Sequence, residues 1–232
     1  MTQSQTHSGE GATPTAPLRR QPRQTRGQQR IETILDAAEQ LFAEIGYQAT
    51  STNAIAARAN TSIGSLYQFF PHKKAILEAA IARYHQEYHE LIQTTLTDDF
   101  FFQPLSSALD RLLHALIALH AAHGGVRAFI LGANATNEFV PIAQQIHQEL
   151  LDRLEQLLTA RAPNQSTHDR TLTLHILYNV SLTLLQLSEP LPASDQTFVI
   201  SALKTMLIAY LTPLFDSKNV AQAETPKYRQ SE

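Results

Sequence analysis

The sequence predicts an all-α protein: an N-terminal three-helix unit of helix-turn-helix type followed by a larger C-terminal helical domain. Three observations carry this reading. Apolar residues recur at three- and four-residue spacing through most of the 232-residue chain. Strand-like alternation bounded by turn dipeptides is not sustained in any stretch. Glycine, asparagine and proline fall between the periodic segments, where helices are expected to stop.

Taken in order, residues 1–26 are rich in Thr, Gln, Ser, Gly and Pro and almost lack large apolar side chains. They bury too little to offset ordering entropy and are expected to form a disordered, basic-ended tail. Arg19, Arg20, Arg23 and Arg26 cluster at its end, either as a solvated linker or as an arm on phosphates or in a minor groove. From Gln28 the spacing of Ile31, Ile34, Leu35, Ala38, Leu41, Phe42 and Ile45 predicts an amphipathic helix ended by Gly46. Thr50 or Ser51 is placed to cap a second helix whose inner face is Ile55, Ala56 and Ala59. Asn60, tolerant of positive φ, occupies the turn. Ser62 is the candidate cap of a third helix running to about Phe69, with Leu66 and Phe70 inward and Pro71 as the stop. A fourth helix is expected from near Lys73 past Tyr88. Further helices are expected near 104–122, 126–134, 138–161, 167–188 and 195–215, punctuated by Gly124-Gly125, Pro163 and the Pro190/Pro192 pair. The resulting segments are the tail 1–26, a helix-turn-helix domain 27–72, a larger helical domain 73–216, and a flexible tail 217–232.

Composition narrows the function. Hydrophobic residues make up 43% and cysteine is absent, which excludes disulfide and thiol chemistry and fits a reducing cytoplasm. The net charge of −3 is unevenly divided: residues 1–75 carry eight Lys/Arg against five Asp/Glu, and residues 76–232 ten against sixteen. A basic front that meets phosphate and an acidic body that avoids it follow from that split. No P-loop, nucleophile elbow or HExxH motif occurs, so neither an enzyme nor a cofactor is expected. His114, His120 and His123 share a helical stretch, but no Asp or Glu follows His120 or His123 at i+4, and no metal site is expected. Apolar runs such as Met206 to Leu211 are too short to span a bilayer, and no membrane partner is expected.

The run from Thr50 to Lys74 carries the chemistry. In a helix-turn-helix the first helix braces on the backbone and the second offers its N-terminal residues to base edges in the major groove. The candidate DNA-contacting residues are Thr50, Ser51, Thr52, Asn53, Ser62, Ile63, Gly64, Ser65, Tyr67, Gln68, Phe69 and Lys73. Gly64 and Ser65 permit close approach to the groove floor. Gln68 suits adenine and Ile63 suits thymine methyls. Tyr67 offers a hydroxyl to phosphate, and Lys73 at a helix start is a candidate phosphate clamp.

Ala38, Phe42, Gly46, Tyr47, Thr50, Ile55, Ala56, Ala59, Ser62, Gly64, Ser65, Leu66, Tyr67, Phe70 and Lys73 together resemble the DNA-binding domain of the TetR (tetracycline-repressor-like) family of bacterial regulators. The resemblance spans about residues 29–79. Asn60 stands in place of a turn glycine, and Ile63 where a basic residue is common. The resemblance implies an all-helical homodimer on double-stranded DNA, whose larger domain binds a small molecule. The fourth helix then couples effector binding to the spreading of the recognition helices. A ligand-responsive repressor released from a palindromic operator by a small, largely apolar effector is the leading expectation. The alternative is a DNA-bound adaptor whose body docks a protein.

Within the body, the stretches 172–187 and 198–215 are apolar nearly all round and so must be covered on more than one side. Leu174, Leu177, Leu184, Leu203, Leu207 and Leu211 are the candidate dimer-interface residues. Phe102, Leu116, His120, Phe129, Ile130, Asn134, Phe139, Ile142 and Ile146 are candidates to line the effector pocket, mostly apolar with a few polar anchors.

Overall fold

The computed structural model describes residues 22–131 and 140–215. Among them are nine α-helices and one 3-10 turn: α1 Pro22–Ala49, α2 Thr52–Arg58, α3 Ile63–Phe69, α4 Lys73–Thr95, the 3-10 turn Phe100–Phe102, α5 Leu105–Ala122, α6 Gly124–Leu131, α7 Val140–Arg161, α8 Thr167–Ser188 and α9 Ala193–Phe215. Most of the expected tail 1–26, and all of 217–232, lie outside the described residues. The end of the first tail is corrected, because α1 already begins at Pro22. Proline suits a first helical position, and the Arg and Gln that follow are good helix formers.

The local punctuation follows from side-chain chemistry. Gly46 breaks α1 with φ 80° and ψ 157°, a conformation that disfavours any side chain. Thr50 then returns to the Gly46 carbonyl with both its N–H (3.3 Å) and its hydroxyl (2.8 Å). Ser51 caps α2 by accepting from the Ala54 N–H at 3.1 Å, and Ser62 caps α3 by accepting from Ser65 at 3.1 Å. Asn60 carries the turn between them at φ 50°. Phe70 is extended ahead of Pro71, and His72 Nδ1 accepts from the Ala75 N–H at 3.0 Å to cap α4.

Gly124-Gly125 was expected as a break and is instead the first turn of α6. The reason is a close helix crossing. A Cβ on Gly125 would lie 2.3 Å from the Glu39 carbonyl oxygen and 2.9 Å from both the Ala43 nitrogen and the Phe42 Cβ. Only glycine lets α6 seat on α1 at this distance.

One hydrophobic cluster runs from Ile34, Phe42 and Leu66 through Ile76, Leu77 and Ile92 to Ile146 and Leu158. The three N-terminal helices therefore share a core with the body. A smaller cluster of Leu109, Leu113, Leu185, Leu203 and Leu207 ties α5, α8 and α9 together. Taken as a whole helix, α9 is long and apolar enough to cross a membrane by length and composition, with mean hydropathy 1.7 in its most apolar window. The short-run reading missed this because isolated polar residues interrupt the stretch. Lys204 pairs with Asp110 on α5 at 2.6 Å, and Leu203, Leu207 and Leu211 are core residues. The outward side of α9 remains bare: Phe198 is 76% exposed, with Met206 and Tyr210 exposed beside it.

Candidate nucleic-acid interface and ligand chamber

Short helices carry most of the expected DNA-contacting residues. Leu66 is wholly buried beneath α3, while Ser62, Gly64, Tyr67 and Gln68 are exposed above it. The Thr52 and Tyr67 hydroxyls, from α2 and α3, pair at 3.2 Å. Arg30 of α1 donates to the Ser65 hydroxyl at 3.1 Å. These two inter-helix pairs engage α3 on either side of Gly64, where an added Cβ would meet nothing within 4 Å. Arg26, Gln29, Arg30, Thr33 and Phe69 line an open groove along the same side of α1. Arg30 and Thr33 were not singled out from sequence. Their signal was weak: they are polar positions one turn apart, and Arg30 stands a single turn before the buried Ile34 on the same side of the helix.

Several expected contacts take other roles. Thr50 is 2% exposed and its hydroxyl is committed to Gly46, which removes it from a DNA-facing set. Lys73 is not a free phosphate clamp. Its ammonium donates to the carbonyls of Tyr47 (2.7 Å), Gln48 (3.2 Å) and Thr50 (2.8 Å), and it lies 4.3 Å from the Tyr47 ring centroid. The last carbonyls of a helix lack intrahelical partners, and a cation satisfies them well. Burial also pulls the Lys73 pKa below its ordinary value. Ile63 and Phe69 are half-buried and pack against the core. Ser51 and Asn53 are exposed at the start of α2, and Thr52 is half-buried there.

The body contains two adjoining cavities that share Leu116, Leu150, Tyr178, Ser181 and Leu185. The first, about 60 Å³, carries the polar groups Tyr84, Tyr88, His120, Arg127, His147 and Tyr178. The second, about 80 Å³, is almost wholly apolar and is walled by residues such as Phe101, Leu112, Leu154 and Leu211. Burial first, then Arg127 and His147, pushes His120 down to about 3, so it is neutral at physiological pH. Burial and Arg127 also lower His147. Tyr84 is pushed up to about 12 by burial, and Tyr88 and Tyr178 are raised by the same cause, so all three remain donors.

Of the expected pocket residues, Leu116, His120, Ile130 and Ile146 line the polar cavity. Phe102 does not; it is 63% exposed because the 3-10 turn directs Phe100 and Phe101 inward instead. Phe129 is buried against Tyr47, ring centroids 5.1 Å apart, and so serves the α6–α1 contact. Asn134 and Phe139 lie outside the described residues, as does the side chain of Ile142. Of the expected interface residues, Leu174, Leu203, Leu207 and Leu211 are buried in the protomer's own core, and Leu177 and Leu184 are half-buried against it. The outward apolar residues are Leu172, Ile176, Leu187, Phe198, Met206 and Tyr210. On helices apolar all round, sequence cannot tell these two sides apart.

Helix α6 connects the two regions. Arg127 lines the polar cavity, Gly125 rests on the α1 backbone, and Phe129 meets Tyr47. His123, at the α5–α6 junction, bonds Glu39 of α1 at 2.8 Å and Glu87 of α4 at 3.0 Å. Arg83 of α4 completes the network with Glu39 (2.6 Å), Glu32 (2.9 Å) and Asp36 (2.8 Å).

Residues 34–80 match the profile for "Bacterial regulatory proteins, tetR family", and residues 104–211 match that for "Tetracyclin repressor-like, C-terminal domain". Over 55 residues the chain is 42% identical to the HTH-type transcriptional repressor KstR of Rhodococcus jostii, covering 24% of this chain and 26% of KstR. The chain thus spans about a quarter of the length of that curated relative. Among solved structures, a transcriptional regulator from Aquifex aeolicus aligns with TM-score 0.64 at 22% identity, over 78% of this chain and 99% of that one. The SmeT–triclosan complex aligns with TM-score 0.60 at 25% identity, over 79% and 91%; SmeT is described as the repressor of a Stenotrophomonas maltophilia multidrug efflux pump.

Proposed function

Because the chain belongs to the TetR family of helix-turn-helix transcriptional regulators, we propose that it is a cytoplasmic, homodimeric repressor released from a palindromic operator by a small, largely apolar effector. Its relatives are regulators rather than enzymes. The observation that carries the reading is the double engagement of α6, with Arg127 in the polar cavity and Gly125 on α1. Each cavity is far smaller than the roughly 300–1,000 Å³ of ordinary ligand sites. An effector therefore enters only if the surrounding helices separate, and α6 cannot shift without displacing α1, α4 or both. The differential fit of the two states to ligand is what shifts the equilibrium.

In this reading Gly64, Ser65 and Gln68 meet base edges, while Arg30, Thr52 and Tyr67 hold phosphates and fix register. Two recognition helices sit on half-sites about 34 Å apart, or close to that. The outward faces of α8 and α9 pair the protomers. Support comes from their exposed apolar residues, Leu172, Ile176, Leu187, Phe198, Met206 and Tyr210.

The decisive experiment is selection of bound duplexes from a random pool, then a screen for compounds that release the best one, with triclosan as first probe because SmeT binds it. An enriched palindrome and release by apolar compounds are expected. Failure to enrich any sequence sinks the DNA assignment. An enriched site that no apolar compound releases sinks the effector assignment alone.

A further inference from the structure

We infer that the effector is an amphipathic acid, with one carboxylate-like head held by Arg127 and Tyr178 and an apolar body lying in the adjoining leucine- and phenylalanine-walled cavity. This rests on the effector-release reading and adds the chemical class of the ligand.

Arg127 is 5% exposed, yet its Nη2 has no hydrogen-bond partner. Nη1 of the same guanidinium pairs with Glu189, whose side chain is 54% exposed at the end of α8. A buried guanidinium is ordinarily paired and fully hydrogen-bonded, since removing it from water is costly. The Tyr178 hydroxyl, in the same cavity, is also buried and unpartnered. Two unused donors therefore belong to residues that line one small space. No carboxylate lines that space among the described residues, and the neighbouring His120 is held neutral by burial. The one formal positive charge lining it is Arg127, and because its partner Glu189 is largely solvent-exposed, that pairing leaves an exchangeable place for one negative charge. A carboxylate accepts bidentate bonds from a guanidinium and has a lone pair left for a phenol.

The body of the ligand follows from the second cavity. It begins at the shared residues Tyr178 and Ser181 and continues between Phe101, Leu112, Leu154 and Leu211 with almost no polar surface. A polar ligand would lose its hydration there without recompense, whereas a hydrocarbon chain or fused ring gains from burial. A cleft of about 280 Å³ that shares His120, Arg127 and Leu185 with the polar cavity, and is bordered by Glu189, marks where the helices part to admit it. The incoming acid competes with Glu189 for the guanidinium.

The test titrates the full-length protein calorimetrically with octanoate, decanoate and dodecanoate, each against the primary alcohol of the same chain length. Release of the selected operator is followed in parallel by fluorescence anisotropy. The acids are expected to bind about tenfold to a hundredfold more tightly than the alcohols, the range for a hydrogen-bonded charge. Arg127→Met should erase that preference, and Glu189→Gln should tighten acid binding by removing the internal rival. Should Arg127→Met fail to fold, Tyr178→Phe, which deletes only the hydroxyl, must still weaken the acids relative to the alcohols. Equal affinity for acid and alcohol, retention of the preference in Arg127→Met, or failure of every acid to bind overturns the inference. If alcohols release the operator as well as acids do, the apolar-effector reading stands while the acidic head falls. If acids bind through Arg127 without releasing DNA, the head stands and the release mechanism falls.

Discussion

The ammonium of Lys73 satisfies three carbonyls at the end of α1, each within 3.2 Å. Replacing it with methionine keeps the packing over Tyr47 but leaves those carbonyls without a donor. Thermal or denaturant unfolding should show a loss of about 2 kcal/mol, the worth of hydrogen bonds to a charged group. The salt dependence of operator binding should keep its slope, because no phosphate contact is lost. Gly64 gives the opposite pattern. Its Cβ direction is empty, so Gly64→Leu costs the folded protein nothing through clashes. Against a groove floor the added side chain overpacks, and operator affinity should fall by about 1–3 kcal/mol with stability unchanged or higher. Both residues were visible in the sequence, but the partner of Lys73 was not. A lysine after a helix-capping histidine looks the same whether its partner is a phosphate or the end of a helix distant in sequence, and only the fold brings Tyr47 beside it.

At the scale of elements, the α1–α4–α6 junction is sensitive to pH. His123 faces Glu39 of α1 and Glu87 of α4, its ring lies 5.5 Å from that of Tyr84, and Arg83 and Arg127 are the nearby cations. The hydrogen bond His123 donates to the Glu39 carboxylate raises its pKa, burial opposes the rise, and Glu87 adds to it. The folded state thus favours the imidazolium. Its contribution is fully present below the ordinary histidine value of about 6.5 and is lost as pH climbs through the raised folded value. Melting temperature should therefore decline across that window, and His123→Gln should remove this part of the slope. Scanning calorimetry over a pH series checks it. Helix existence was legible here because apolar residues kept the helical period, and the caps Ser51, Ser62 and His72 stood at polar positions before it. The 3-10 turn at Phe100–Phe102 was not legible. Three phenylalanines in a row carry no period, so which one faces solvent is decided by packing alone.

For the whole molecule, the bare apolar faces of α8 and α9 set the expected assembly. Phe198, Met206 and Ile176 are all at least 49% exposed. A double substitution, Ile176→Arg with Phe198→Glu, places charge on both faces without touching the core. Analytical ultracentrifugation should show a shift from dimer to monomer at micromolar concentration. Operator binding should weaken far more than the isolated half-site affinity does, since two linked contacts act at high effective concentration. Unchanged mass would show that some other surface pairs the protomers. The fold class was readable from periodicity, whereas the dimer face was not. The two sets, Leu203, Leu207 and Leu211 against Phe198, Met206 and Tyr210, lie on a helix whose polar stripe of Thr197, Ser201, Lys204 and Thr205 leaves the rest of its circumference apolar, so the pattern does not choose between them.

The seat of α6 on α1 also bears on engineering. With Gly125 against the Glu39 carbonyl and Phe129 against Tyr47, the reading head has no clean seam at Pro71. A chimaera that grafts residues 22–72 onto another sensor must bring a glycine-bearing cradle with it, or the transplanted head will bind its target deaf to the new signal.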